Sequence, residues 1–94
     1  MSDVQILWDL EDEPDGNVQH IAANGVTVDE YVEVFAGNYQ RATISRESGR
    51  PITFGWTSTG KHIAVIWDDV QSEDPWIIRP VTAFETPPKG RKRR

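Results

Sequence analysis

The 94-residue sequence contains no cysteine, only two histidines and one methionine. The absence of cysteine excludes disulfides, thiolate metal sites and thiol catalysis. With only His20 and His62, a dedicated zinc or histidine-metal centre is not expected, so the sequence predicts neither a metal nor a cofactor. No stretch approaches the roughly 18 apolar residues of a membrane span, and the N-terminus lacks the pattern of a signal peptide. We therefore expect a cytoplasmic protein that does not enter a membrane.

Positive charge is missing from the first 40 residues, which contain five Asp and four Glu but neither Lys nor Arg. Residues 41–88 hold six acids and five bases, and residues 89–94 add five bases, so the formal net charge is −5. An acidic body repels polyanions and favours a basic partner. The basic segment at the end would bind phosphates, fold back on the acidic body, or do neither.

Strand and helix patterns fill the first half of the chain. Residues 4–8 are apolar and typical of a strand. Helical spacing of apolar residues behind Pro14, with Asn24-Gly25 as an end signal, predicts a first helix over residues 14–24. Thr27 and Glu30 have the form of a capping box, so a second helix is expected up to Gly37-Asn38. An apolar stripe follows the cap: Val28, Tyr31, Val32 and Phe35.

The second half has four strand-like runs, at residues 40–45, 51–57, 62–67 and 76–84. Short connections favour antiparallel pairing. The third run is almost wholly apolar, as in a strand at the centre of a sheet. Pro80 cannot donate to a ladder, which predicts an edge strand or a bulge. Trp56 and Trp67 are expected in the core, although aromatic side chains on a sheet also stack single-stranded bases.

These elements predict an α+β fold in the order β-α-α-β-β-β(-β), with two helices packed on a twisted antiparallel sheet. A single compact domain is expected over residues 1–86, followed by a flexible basic tail over residues 87–94. An open sheet edge near Pro80 would allow a homodimer.

Short motifs along this order resemble the BrnT-type toxin family over about residues 4–85. The residues that carry the resemblance are Trp8-Asp9, Gly25-Val26-Thr27, Glu30, Val34-Phe35, Arg50, Gly55, the strand at residues 63–67, and Ile78-Arg79-Pro80-Val81-Thr82-Ala83. The chain departs from the family pattern at Ala23-Asn24, where the family has Lys-His, and at Phe84, where it has Arg. Pro87-Pro88 and the basic tail stand where the family has a C-terminal helix.

The resemblance implies a relative of the RelE-type ribonuclease toxins, which form one half of a bacterial type II toxin–antitoxin pair. Such a toxin cleaves RNA without a metal and is bound by a small antitoxin. Arg50 and Arg79 match basic positions of the family pattern. Because polar positions are replaced, the ribonuclease activity is expected to be weak or degenerate. The alternative function is a non-catalytic interaction or regulatory module whose acidic surface binds a basic partner.

Metal-free RNA cleavage requires an acid–base group and cations near the scissile phosphate. The sequence predicts Arg50 and Arg79 as phosphate contacts, His62 as acid or base, and Lys61 and Arg46 as further RNA-binding residues. Each also has a plainer interpretation. The turn residues would simply be solvated, Arg79 would discourage edge aggregation, and His62 would be a strand-end residue with one hydrogen bond.

Overall fold

The computed structural model describes residues 4–87. Residues 88–94, which hold most of the predicted basic tail, lie outside the described residues. The elements are β1 (Val4–Ile6), α1 (Asn17–Ala23), α2 (Val28–Asn38), a 3₁₀ turn (Tyr39–Arg41), β2 (Thr43–Ile44), β3 (Pro51–Trp56), β4 (His62–Gln71) and β5 (Trp76–Glu85). The strands form one sheet in the order β1-β5-β4-β3-β2, and the core lies between this sheet and two helices. The predicted α+β fold is confirmed.

The sheet is mixed rather than wholly antiparallel. Strands β2 to β5 pair antiparallel across short connections, as predicted. β1 instead pairs parallel to β5, with Val4 opposite Trp76 and Ile6 opposite Ile78. Parallel pairing requires a long crossover connection. The chain between β1 and β5, which includes both helices, supplies it.

Pro80 lies next to a bulge in β5. β5 has β1 on one side and β4 on the other, so the predicted edge strand is wrong, although β1 pairs only with Trp76–Ile78 and does not reach Pro80. The predicted bulge is confirmed, because the register shifts between Ile66, which faces Thr82, and Trp67, which faces Pro80. The residue that the shift leaves without a ladder partner is Val81, next to Pro80, whereas Pro80 itself lies opposite Trp67. β4 runs on to Gln71, beyond its predicted end, because its polar end still pairs with β5.

Helix α1 covers the part of β5 that β1 does not reach. Asn17 Nδ2 donates to the carbonyl of Pro80 (3.2 Å), and Asn24 Nδ2 donates to the carbonyl of Ala83 (3.0 Å). These amides occupy acceptors that an added strand would need, so this edge does not offer the predicted route to a homodimer. α1 begins later than predicted, at Asn17, whose N–H donates to the Asp9 carboxylate (2.8 Å).

Helix α2 forms as its capping box predicts. The Glu30 N–H donates to Thr27 Oγ1 (3.1 Å), and the Thr27 N–H donates to Glu30 Oε1 (3.0 Å). The apolar residues buried along the helix are Tyr31, Val34 and Phe35. Phe35 meets Trp67 of β4 edge to face, with ring centroids 4.8 Å apart, so the predicted core position of Trp67 is confirmed.

Candidate functional site

The two faces of the sheet are not equally covered. Thr53 Oγ1 donates to the carbonyl of Asn38 at the end of α2 (2.8 Å), and Gly55 lies directly against Val34 and Asn38. Because side chains alternate along a strand, the neighbouring side chains of β3 point away from the helices. We call this side of the sheet the open face. Together with their ladder partners its residues are Ile52, Phe54, Trp56, His62, Ala64, Ile66, Thr82 and Phe84.

A polar cleft of about 270 Å³ lies at one end of the open face, and we call it the Arg50–Arg79 cleft. It is lined by Asp15, Asn17, His20, Arg50, Asp68, Arg79, Pro80 and Val81. Arg50 Nε donates to Asp68 Oδ1 (2.6 Å), and Asp68 is the ladder partner of Arg79. The structure therefore brings together the two arginines that the sequence predicts as phosphate contacts.

The Arg79 guanidinium already has a carboxylate partner. Its Nη1 and Nη2 donate to the two oxygens of Asp9 (3.0 and 2.8 Å). These bonds, with the N–H of Asn17, hold the pKa of Asp9 below its ordinary value, and the hydrogen bond to Asp9 raises the pKa of Arg79. A phosphate in the cleft would compete with Asp9 for Arg79 and with Asp68 for Arg50.

His62 does not belong to the cleft. It precedes Asp68 by six residues on β4, which is about 20 Å along a strand at about 3.3 Å per residue. Its ring is stacked on Phe54 and meets Trp56 edge on, and its Nδ1 lies 2.8 Å from Thr86 Oγ1. The predicted grouping of His62 with both arginines is therefore not what the structure shows.

His20 is the histidine that lines the cleft. It lies on α1, and its Nε2 is 3.0 Å from Thr82 Oγ1. The cleft thus holds two guanidiniums, one imidazole and the carboxylates of Asp15 and Asp68. Sequence reasoning missed His20 because only the long-range docking of α1 on β5 brings it there. The spacing of apolar residues in α1 predicts a helix, but it does not predict that this helix packs on β5.

Lys61 connects α2 to the β3–β4 turn. Its Nζ donates to the carbonyl of Gly25 (2.7 Å) and to Glu30 Oε1 (3.2 Å). Glu30 is buried and also accepts from Thr59 Oγ1 (2.6 Å). Burial raises the pKa of Glu30, but the hydrogen bonds from Thr59, Thr27 and Lys61 outweigh burial, so the pKa is lowered. Lys61 is engaged inside the fold, whereas Arg46 is exposed on the β2–β3 turn.

A second, larger concavity lies on the helix side, and we call it the acid-rimmed groove. It measures about 920 Å³ and runs between the β1–α1 connection, α1 and the start of α2. Its apolar lining residues are Trp8, Leu10, Val18, Ala22, Val26 and Val28. The carboxylates of Glu11 and Asp29 stand at its rim, where both residues are exposed.

The acids of the first 40 residues divide into two groups. Asp9, Glu30 and Glu33 accept hydrogen bonds within the fold, Glu33 from the backbone N–H of Ser58 (3.0 Å). The others that the structure describes are exposed: Glu11, Asp12, Glu13, Asp15 and Asp29. Among the first 40 residues, the exposed acids that accept no hydrogen bond from the fold therefore lie along the β1–α1 connection and at the groove.

Within residues 4–87, no three His, Asp or Glu side chains are grouped to hold a metal ion, and neither helix is long and apolar enough to cross a membrane. No family model, no curated protein and no solved structure matches this chain. The functional proposal therefore rests on the geometry and on the motif resemblance, which stays a prediction.

Proposed function

We propose that this protein is a BrnT-like component of a bacterial type II toxin–antitoxin pair, acting in the cytoplasm, whose main task is to bind a small, basic antitoxin-like protein. The observation that carries the proposal is the acid-rimmed groove. Its apolar lining offers surface for burial, with Leu10 73% exposed, and burial of apolar surface drives association. The carboxylates of Glu11 and Asp29 would attract a positively charged partner and orient it.

The motif residues support the family's fold for this chain, because each has a structural contact. The Trp8 ring meets Tyr31 edge to face at 5.3 Å, Asp9 holds Arg79, and Glu30 closes the capping box. The departure at Ala23-Asn24 also has a structural use, since Asn24 covers the edge of β5. The motifs therefore explain the architecture more directly than they explain any chemistry.

A weak metal-independent endoribonuclease activity is the second candidate function. The observation in its favour is the grouping of Arg50, Arg79 and His20 in one cleft. In that arrangement the guanidiniums would contact the phosphate, and the imidazole would act as acid or base. The activity would be weak, because phosphate must compete with Asp9 and Asp68 and the net charge of −5 repels RNA.

Charge reversal at the groove tests partner binding. The probe is the purified product of a short reading frame adjacent to the gene, measured by titration calorimetry. We expect Glu11→Lys/Asp29→Lys to weaken its binding by at least about tenfold, or about 1.4 kcal/mol. The control Glu47→Lys/Glu73→Lys makes the same charge change at two exposed acids outside the groove and should bind nearly as the parent chain does. Equal loss in both variants would reject the groove.

Expression in a bacterial host tests the ribonuclease activity. Slow growth with the intact chain, its loss in Arg50→Ala/Arg79→Ala and in His20→Ala, and its retention in His62→Ala would support the cleft. Circular dichroism of each purified variant separates lost chemistry from lost folding. Normal growth with all four chains would remove the enzymatic candidate and leave the binding function standing.

A further inference from the structure

The open face departs from the pattern of a solvated sheet. An antiparallel sheet with one face in water normally alternates apolar residues inside with polar residues outside. Here the outward positions of β3 and two of those on β4, Ala64 and Ile66, are apolar as well. Three aromatic side chains remain exposed: Phe54 (45%), Trp56 (53%) and Phe84 (38%). At roughly 150 to 250 Å² per aromatic side chain, these fractions leave about 300 Å² of aromatic surface in water. A contiguous patch of this size commonly marks an interaction site.

We propose that the open face is an interface between two copies of this chain, packed sheet against sheet. The packing of side chains on the open face is compatible with such a contact. Ala64 is fully buried in the middle of a row, with Phe54 on one neighbouring strand and Phe84 on the other. Because no part of Ala64 reaches solvent, the side chains around it cover it, and Phe54 and Phe84 present their own exposed surface above it. The aromatic side chains of a second copy would pack against this surface, and a two-fold axis would repeat the contact.

The distribution of charge favours a second copy at the open face and a basic partner at the acid-rimmed groove. Each copy carries a net charge of −5, so two copies approach most easily where acids are scarce. The apolar part of the open face contains no carboxylate: its polar neighbours are His62, Thr82 and Thr86, and Asp68 lies beyond it in the Arg50–Arg79 cleft. The exposed acids lie outside this apolar part, around the β1–α1 connection and the groove, in the β2–β3 and β4–β5 connections and at the ends of β4 and β5. Face-to-face packing of the apolar part therefore buries no unpaired charge.

The area of the open face determines the expected affinity of the dimer. The aromatic surface, with the half-exposed residues around it, amounts to roughly 400 to 500 Å² per copy, so a pair would bury at most about 1,000 Å². This area is at the lower limit of specific interfaces. The dimer should therefore be weak and depend on protein concentration. The inference does not rest on the proposed function, because the groove and the open face lie on opposite sides of the sheet.

Sedimentation equilibrium of the full chain tests the inference. We expect a monomer–dimer equilibrium that tightens when NaCl is raised from about 0.05 to about 0.5 M, because salt screens the repulsion between like-charged copies. The Trp emission should shift to shorter wavelength as concentration rises, since Trp56 leaves water in the dimer.

Charged substitutions locate the interface. Trp56→Lys and Phe84→Lys, on different strands of the open face, should each raise the dimer dissociation constant at least about tenfold. The control Ile44→Lys makes the same charge change at an exposed apolar residue of β2 that lies outside both the open face and the groove and should dimerise as the parent chain does. Far-UV circular dichroism and thermal unfolding verify that each variant folds.

Three results would overturn the inference. One is a chain that stays monomeric at the highest soluble concentration in both salts. Another is a dimer that both open-face variants leave unchanged. The third is binding of a single-stranded oligonucleotide that weakens with salt and is lost in the same variants, without self-association. That result would assign the aromatic side chains to base stacking instead.

Discussion

Arg79 of β5 and Asp9, which follows β1, are joined by two parallel hydrogen bonds of 3.0 and 2.8 Å. The same carboxylate accepts from the N–H of Asn17 and thereby fixes the start of α1. The Asn17 side chain in turn donates to the carbonyl of Pro80 in β5. One aspartate therefore ties the first strand, the first helix and the last strand together. Arg79 of the cleft is one partner in these contacts. A phosphate that bound Arg79 would compete with Asp9 and weaken a contact that stabilises the fold.

The paired geometry predicts that lysine cannot replace Arg79. A lysine ammonium keeps the charge but cannot donate two parallel bonds to one carboxylate. Because the pair is partly exposed, we expect Arg79→Lys to lower Tm by at most about 5 °C, measured by differential scanning calorimetry. Arg46→Lys, at an exposed turn, is the control and should leave Tm unchanged. An equal Tm for Arg79→Lys and the parent chain would show that the second bond contributes nothing.

The lowered pKa of Asp9 predicts how this stability depends on pH. In the unfolded chain an aspartate titrates near its ordinary value of 3.8, whereas in the folded chain the Arg79 hydrogen bond moves its pKa below that value. The stabilisation is therefore complete above the unfolded pKa and is lost as pH falls through the folded pKa. In urea unfolding between about pH 3 and 6, Arg79→Ala should show a shallower loss of unfolding free energy on acidification. Parallel pH profiles would argue against the pair.

Local signals predicted the second helix and the meander well. The Thr27–Glu30 capping box depends on residues three apart, and the short turns between β3, β4 and β5 leave little choice of partner. The parallel pairing of β1 with β5 and the docking of α1 join residues more than 50 positions apart. No local sequence pattern specifies such partners, so the position of His20 in the Arg50–Arg79 cleft could not be predicted.

The position of Trp56 shows a subtler limit. Alternation correctly places Phe54 and Trp56 on one face of β3 and Gly55 on the other, but it does not say which face the helices cover. We expected the aromatic face beneath them, because aromatic residues usually fill cores. The helices instead pack on the side of Gly55, where the missing side chain leaves room for Val34 and Asn38. The glycine was the signal for close helix approach.

Two glycine substitutions test this close packing. A Cβ added at Gly55 would overlap Asn38 Nδ2 and lie 3.2 Å from Val34 Cγ1, so Gly55→Ala should lower the unfolding free energy by about 1 to 3 kcal/mol. A Cβ at Gly37, inside α2, meets nothing within 4 Å, so Gly37→Ala should raise it by about 0.5 to 1 kcal/mol. Urea unfolding measures both. Effects of the same sign would contradict the close approach of α2 to β3.

The buried carboxylate of Glu30 predicts the role of Lys61. If Lys61 serves the fold rather than RNA, Lys61→Ala should lower the unfolding free energy at pH 7 by about 1 to 2 kcal/mol, because it leaves a buried carboxylate with fewer partners. Against a Glu30→Gln background the same change should cost much less, which a double-mutant cycle would reveal.

The control Lys61→Ala/Glu33→Gln alters an exposed glutamate of the same helix and should show no such coupling. Because the pKa of Glu30 is lowered in the folded chain, the coupling should be present above its ordinary pKa and fade as pH falls below it. A coupling that is zero at pH 7 would remove Lys61 from the scaffold and return it to the candidates for RNA contact.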